Sequence, residues 1–95
     1  MPTVMSMSWS GVTPEQYDET LRVVRWVEET PEGAMFHVAW FADGGLHVTD
    51  VWQSEAHWDA FLNDRLMPGI QQVGIAGEPS VQLTEAHAVF APGYE

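Results

Sequence analysis

The segment Met35-Phe-His-Val-Ala-Trp-Phe41, Ala42-Asp-Gly-Gly45, Leu46-His-Val-Thr-Asp-Val-Trp52 decides the fold. Two runs rich in β-branched and aromatic residues flank an Asp-Gly-Gly turn, the pattern of a tight β-hairpin. With Asp43-Gly44 as a two-residue type I′ turn, Phe41 lies opposite Leu46, His37 opposite Asp50 and Met35 opposite Trp52; a turn at Gly44-Gly45 shifts the partners by two and keeps the faces. One face of the hairpin then carries Met35, His37, Ala39, Phe41, Leu46, Val48, Asp50 and Trp52. An imidazole, a carboxylate and an indole share an otherwise apolar surface, which makes this face the candidate site.

Outward from the hairpin, Thr3 to Trp9 alternates as a strand, with Met5, Met7 and Trp9 on one face. Thr13-Pro14-Glu15-Gln16 is a helix start, with Thr13 as N-cap, Pro14 at the first helical position and Gln16 closing a capping box. Tyr17, Thr20, Leu21, Val24 and Val27 follow at helical spacing, and Glu28 to Gly33 ends the helix. Ser54 caps a second helix whose stripe is Trp58, Phe61, Leu62 and Leu66. Pro68-Gly69 interrupts it, with Ile70 to Val73 continuing as a short turn. A loop from Gly74 to Pro79 leads to a last strand, about Val81 to Phe90.

The order β-α-β-β-α-β, with no linker or low-complexity segment, predicts one domain over residues 1–95. Its fold class is α+β: a ferredoxin-like four-stranded antiparallel sheet with two helices on one face. Those helices leave Phe36, Val38, Trp40, Thr49 and Val51 on the opposite face. That patch is too large and aromatic for a soluble monomer, so a homodimer is expected.

Composition narrows the function. Fourteen acids oppose Arg22, Arg25 and Arg65, giving a formal net charge of −11, with no lysine. Such an acidic protein repels a phosphate backbone, which argues against nucleic acid. The absence of lysine removes side-chain Schiff bases, and the absence of cysteine removes thiol nucleophiles, thiolate zinc sites and iron–sulfur clusters. No apolar run approaches the ~18 residues of a membrane span. Met1-Pro-Thr-Val-Met5 has no basic segment leading into an apolar one, so cytoplasmic residence is expected. The histidines at 37, 47, 57 and 87 lack metal-binding spacing, and no glycine-rich loop opens a helix after a strand. Metal, flavin, nucleotide and nicotinamide therefore have no recognisable seat.

These elements resemble the dimeric α/β barrels, a superfamily that includes antibiotic-biosynthesis-type monooxygenases, haem-degrading monooxygenases and muconolactone-isomerase-like enzymes. The resemblance covers the whole chain as architecture. As a motif it rests on Asp50-Val-Trp-Gln-Ser54 followed by Trp58 and Phe61, which looks like the family's strand-to-helix junction. It implies a homodimer with a pocket between sheet and helices in each protomer, and Trp52 as a pocket residue. The haem-degrading branch uses a histidine in the second half of the second helix. Asn63 to Val73 contains none, so that role finds no residue here.

His37 and Asp50 are the catalytic candidates. A carboxylate facing an imidazole fixes its tautomer and makes the pair a competent general base. The same two residues also read as a polar pair satisfying itself at the sheet edge. Trp52, Phe41 and Met35 share that face as candidate substrate contacts, and Trp52 and Phe41 read equally as plain core. His87, with Val81, Leu83, Glu85 and Val89, joins the pocket if its face turns toward the helices, and the dimer interface otherwise. His47 faces away from His37, and His57 lies beside the second helix's apolar stripe. Two functions follow. The first is a small cofactor-independent monooxygenase- or isomerase-like enzyme acting on an aromatic or polyketide-like molecule. The alternative is a non-catalytic dimer that binds an apolar small molecule, or haem through a histidine.

Overall fold

The computed structural model describes residues 1–92. Strands β2 (Ala34–Ala42) and β3 (Gly45–Trp52) are joined by Asp43-Gly44, both with positive φ, 53° and 76°. This is the type I′ geometry that matches the right-handed twist of the flanking strands. Phe41 pairs with Leu46 and His37 with Asp50, as the turn requires. Met35 does not pair with Trp52. A bulge between Ala34 and Phe36 shifts the register, so Ala34 faces Trp52 and Met35 is left exposed. One extra residue in the strand is enough to swap the faces on which its side chains lie.

Strand β1 (Thr3–Ser10) lies antiparallel between β3 and β4 (Ser80–Glu85), giving the order β2-β3-β1-β4. Strand β4 is shorter than the pattern suggested. It ends at Glu85, and the Ala86 amide turns to the Pro2 carbonyl at 2.8 Å. Val89 and Phe90 lie outside the sheet and are exposed, so their apolar character does not mark a buried strand face.

Helix α1 (Pro14–Val24) opens with the full capping box, Thr13 Oγ1 accepting from the Gln16 amide and Gln16 Oε1 from the Thr13 amide. It ends one turn earlier than the apolar spacing implied. Arg25 adopts the left-handed conformation, φ 57°, and donates its amide to the Arg22 carbonyl. The helical phase is lost there, so Val27 points to solvent and Trp26 turns inward onto the core. Helix α2 (Glu55–Phe61) passes through a π turn, Leu62–Leu66, into α3 (Met67–Val73). Pro68-Gly69 therefore does not break the helical run. The widened turn precedes Pro68, which sits at the start of α3 where no amide is needed. Gly69 earns its place by contact: a Cβ there would lie 2.6 Å from Val24 Cγ1, so glycine lets α3 approach α1. Arg65 donates to the Val24 carbonyl and lies over the Phe61 ring, tying the two helical runs together.

Both runs cover one face of the sheet. Met5, Met7, Trp9, Leu46, Val48 and Trp52 from the strands meet Val24, Trp58 and Phe61 from the helices in one buried cluster. The opposite face leaves Val38 and Trp40 exposed, with Phe36 and Val51 half-buried. Trp40 stacks on His47 with ring centroids 5.5 Å apart, and His47 in turn contacts Ser8 Oγ and donates to the Ala42 carbonyl. Among the described residues, no helix is long and apolar enough to cross a membrane.

Candidate active site

Strand pairing sets the first contact. Because His37 and Asp50 are direct partners across β2 and β3, their side chains rise together from the helix-covered face. Nδ1 of His37 lies 2.6 Å from Asp50 Oδ1, and Asp50 Oδ2 accepts the Trp52 indole N–H at 3.2 Å. Asp50 is 3% exposed, yet both its oxygens are engaged. Among the described residues, no buried side-chain nitrogen or oxygen lacks a partner.

This arrangement fixes a tautomer. A carboxylate only accepts, so Nδ1 carries the proton and Nε2 is left with a bare lone pair. That lone pair accepts the Tyr17 hydroxyl at 2.6 Å. The phenol and imidazole rings are nearly parallel, 9° apart, with centroids at 6.1 Å, so the two rings meet edge to edge through the hydrogen bond. Burial, together with the negative charges of Asp50 and Asp18, pushes the Tyr17 hydroxyl up to about 12. It therefore stays protonated and remains a donor across the neutral range. Tyr17, His37, Asp50 and Trp52 form one chain of hydrogen bonds running from the first turn of α1 to the core of the sheet.

Aromatic rings enclose the chain. Trp26 lies over the His37 ring at 4.8 Å and meets Trp52 and Phe61 edge-on. Phe41 gives its edge to Tyr17 at 6.2 Å. Beside the chain is a cavity of about 70 Å³ between sheet and helices. Tyr17, Thr20, His37 and Asp50 are among the residues that line it, together with Met5, Trp9, Val24, Trp58, Ile70 and Ile75, and its surface is almost wholly apolar. An acid–base pair at the margin of a water-poor, apolar cavity is equipped to take a proton from a bound molecule and to shelter the resulting anion.

Of the six residues singled out from sequence, the fold brings His37, Asp50 and Trp52 together. Trp52 is wholly buried behind Asp50 and does not line the cavity. Phe41 stands at the margin, in contact with Tyr17 but 40% exposed. His87 lies past the end of β4, exposed, and Met35 is turned out by the bulge; neither lines the cavity. Two members escaped the sequence reading. Tyr17 was absorbed into the apolar stripe of α1, although a phenol on a core face needs a hydrogen-bond partner, and that need was the available signal. Trp26 carried no signal, because its inward turn depends on the left-handed Arg25. Among the described residues, no three His, Asp or Glu side chains are grouped so as to hold a metal ion.

No protein-family model matches the chain, and no curated protein matches it in sequence. Solved structures do. A protein of unknown function from Nitrosomonas europaea, NE2512, superposes with a TM-score of 0.69 at 16% identity over 97% of this chain and 96% of its own. SnoaB, a cofactor-independent oxygenase from Streptomyces nogalater, gives 0.66 at 12% identity over 93% and 94%. The ActVA-Orf6 monooxygenase of Streptomyces coelicolor, solved with nanaomycin D, gives 0.63 at 14% over 95% and 91%. The chain shares the fold of these structures. These identities are those of a shared architecture, ferredoxin-like and α+β, and the chemistry has to be argued from this chain's own residues.

Proposed function

We propose that this protein is a small cofactor-independent monooxygenase-like enzyme in which His37, oriented by Asp50, removes an acidic proton from an aromatic or polyketide-like substrate. The observation that carries the reading is the Asp50–His37 hydrogen bond of 2.6 Å at the edge of an apolar cavity. Asp50 holds the proton on Nδ1, so Nε2 is the basic atom, and the carboxylate then stabilises the imidazolium that forms. The substrate anion is left in a dry aromatic setting where electron transfer to O₂ competes with reprotonation. The oxygenases that share this fold make O₂ the favoured acceptor over isomerisation.

Haem has less support than a metal-free reaction. Both nitrogens of His37, the imidazole that lines the cavity, are already engaged by Asp50 and Tyr17. The open sheet face supports a homodimer, since Val38 and Trp40 are exposed beside the half-buried Phe36 and Val51, and a second sheet would cover them.

An anthrone tests the reading. Its enol form carries an acidic hydroxyl; loss of that proton gives an electron-rich anion, and reaction with O₂ yields the quinone and water. Oxygen uptake with 1,8-dihydroxyanthrone should be catalysed by the wild-type protein. His37→Ala should lower the rate by ~10²–10⁴ while binding changes by less than about tenfold. Losses in rate and melting temperature that run in parallel across His37→Ala and Asp50→Asn would mean that the pair is only structural.

A further inference from the structure

The basic nitrogen of the site is not open to the cavity. Nε2 of His37 is covered by the Tyr17 hydroxyl at 2.6 Å, and no substrate hydroxyl can reach it while Tyr17 holds that position. Tyr17 itself lines the cavity. Its hydroxyl spends one proton on Nε2 and keeps lone pairs with which to accept another hydrogen bond. We propose that Tyr17 is the proton relay of this site: the substrate hands its proton to the Tyr17 oxygen as Tyr17 passes its own to His37 Nε2.

The step balances without an added reagent. The substrate's O–H bond breaks and a new Tyr17 O–H forms, while the former Tyr17 proton becomes the Nε2–H of His37. The products are a substrate anion, a neutral Tyr17 and an imidazolium paired with Asp50. The relay is held in line by its surroundings. Tyr17 stands in the first turn of α1, fixed by the Thr13–Gln16 capping box, and Phe41 braces its ring. The 9° angle between phenol and imidazole keeps the hydroxyl in the plane of the Nε2 lone pair.

The relay also names a substrate class. A hydroxyl oxygen accepts well from an O–H and poorly from a C–H, so the acidic group presented to it is a phenol or an enol. Because the Tyr17 hydroxyl is pushed up to about 12, tyrosinate is not a resting state and the two transfers must be coupled. Tyr17 is neutral before and after the transfer, so its own acidity does not enter the net proton balance. This inference rests on His37 as the base, and the experiment separates the two.

The probe is 4-nitrophenol, whose anion is coloured, titrated with the purified full chain and with Tyr17→Phe, Tyr17→Ala and His37→Ala. With wild type, the bound probe should ionise about one pH unit below the free compound, a shift typical of a neighbouring base that becomes charged. Tyr17→Phe keeps the ring edge facing Nε2 and removes the oxygen, so it should bind the probe within about tenfold yet leave it neutral. Tyr17→Ala vacates the position, letting the probe's own hydroxyl reach Nε2, and ionisation should return. A merely structural tyrosine predicts the reverse order, with Ala worse than Phe. Ionisation in Tyr17→Phe equal to wild type overturns the relay and leaves His37 as base. Ionisation in His37→Ala equal to wild type, or none in the wild-type protein, overturns the base and the relay together. If Tyr17→Ala does not fold, the Phe and His37 variants decide alone.

Discussion

Asp50 is the residue on which the hydrogen-bond chain can be tested without a substrate. Its two oxygens accept from His37 Nδ1 and from the Trp52 indole, and it is buried with Trp52 wholly behind it. Replacing it by asparagine keeps the volume but offers one acceptor oxygen, so one of the two donors is left facing an amide N–H. An orphaned buried donor costs about 1–3 kcal/mol. The indole has no water to turn to, whereas the His37 side chain is 17% exposed, so the Trp52 N–H keeps the oxygen and His37 loses its partner. For a chain of this size about 1 kcal/mol moves the melting temperature by roughly 5 °C. The melting temperature of Asp50→Asn should therefore fall by about 5–15 °C, and that of Asp50→Ala, which orphans both donors, by more. The decisive arm is Asp50→Asn made in a Trp52→Phe background. With the indole N–H gone, the asparagine oxygen can serve His37, and the cost should drop by about 1–2 kcal/mol, the coupling expected of groups sharing one partner. Urea unfolding at neutral pH, followed by circular dichroism, measures all four proteins. Equal costs of Asp50→Asn in both backgrounds would refute the shared-acceptor geometry.

Three further outcomes follow from other parts of the molecule. A Cβ on Gly45 would lie 2.7 Å from the Trp9 carbonyl oxygen and 2.9 Å from Ser10 Cα, both backbone, so Gly45→Ala should cost about 1–3 kcal/mol by urea unfolding because β1 cannot yield cheaply. In solution the chain should scatter light as a particle of about twice its mass, and Trp40→Glu should return it to a monomer by placing an unpaired charge in the interface; a wild-type monomer would remove the support for pairing. Tyr17 titrates at about 12 in the fold against an ordinary 10.0, so the folded state holds this proton more tightly than the unfolded one. Its contribution is present below pH ~10 and lost as the pH rises through about 12, worth about 1 kcal/mol once the partial exposure of the ring is allowed for, and Tyr17→Phe should remove that part of the alkaline loss of stability.

The parts of this molecule that were legible in its sequence are those where the cause is local. The Asp43-Gly44 turn, the Thr13 capping box and the alternation along β1 each act within a few residues, and from them the hairpin, the start of α1 and the first strand can be read. What escaped depends on distant partners or on a single backbone choice. The bulge at Met35 has no marker in composition, yet it reverses the face of the residues before it. Arg25 in the left-handed conformation ends α1, although a non-glycine residue there is not a stop signal one would read.

The candidate site shows the same division. His37 and Asp50 could be placed on one face from strand pairing alone, because moving the turn from Asp43-Gly44 to Gly44-Gly45 changes the partners but keeps the faces. Tyr17 could not be joined to them in that way. Its spacing to Thr20, Leu21 and Val24 describes the face of α1 that meets the sheet but not what lies beneath each position. That depends on how α1 crosses β2, and the crossing is set by Gly69 admitting Val24 and by Arg65 holding its carbonyl, residues more than forty positions away in the chain. The chemical consequence is large for so indirect a cause. Without Tyr17 the pair presents a bare imidazole to the cavity and any acidic proton of suitable reach can be taken. With Tyr17 in place the first group met is a hydroxyl, and the site selects for hydroxyl acids before His37 is involved.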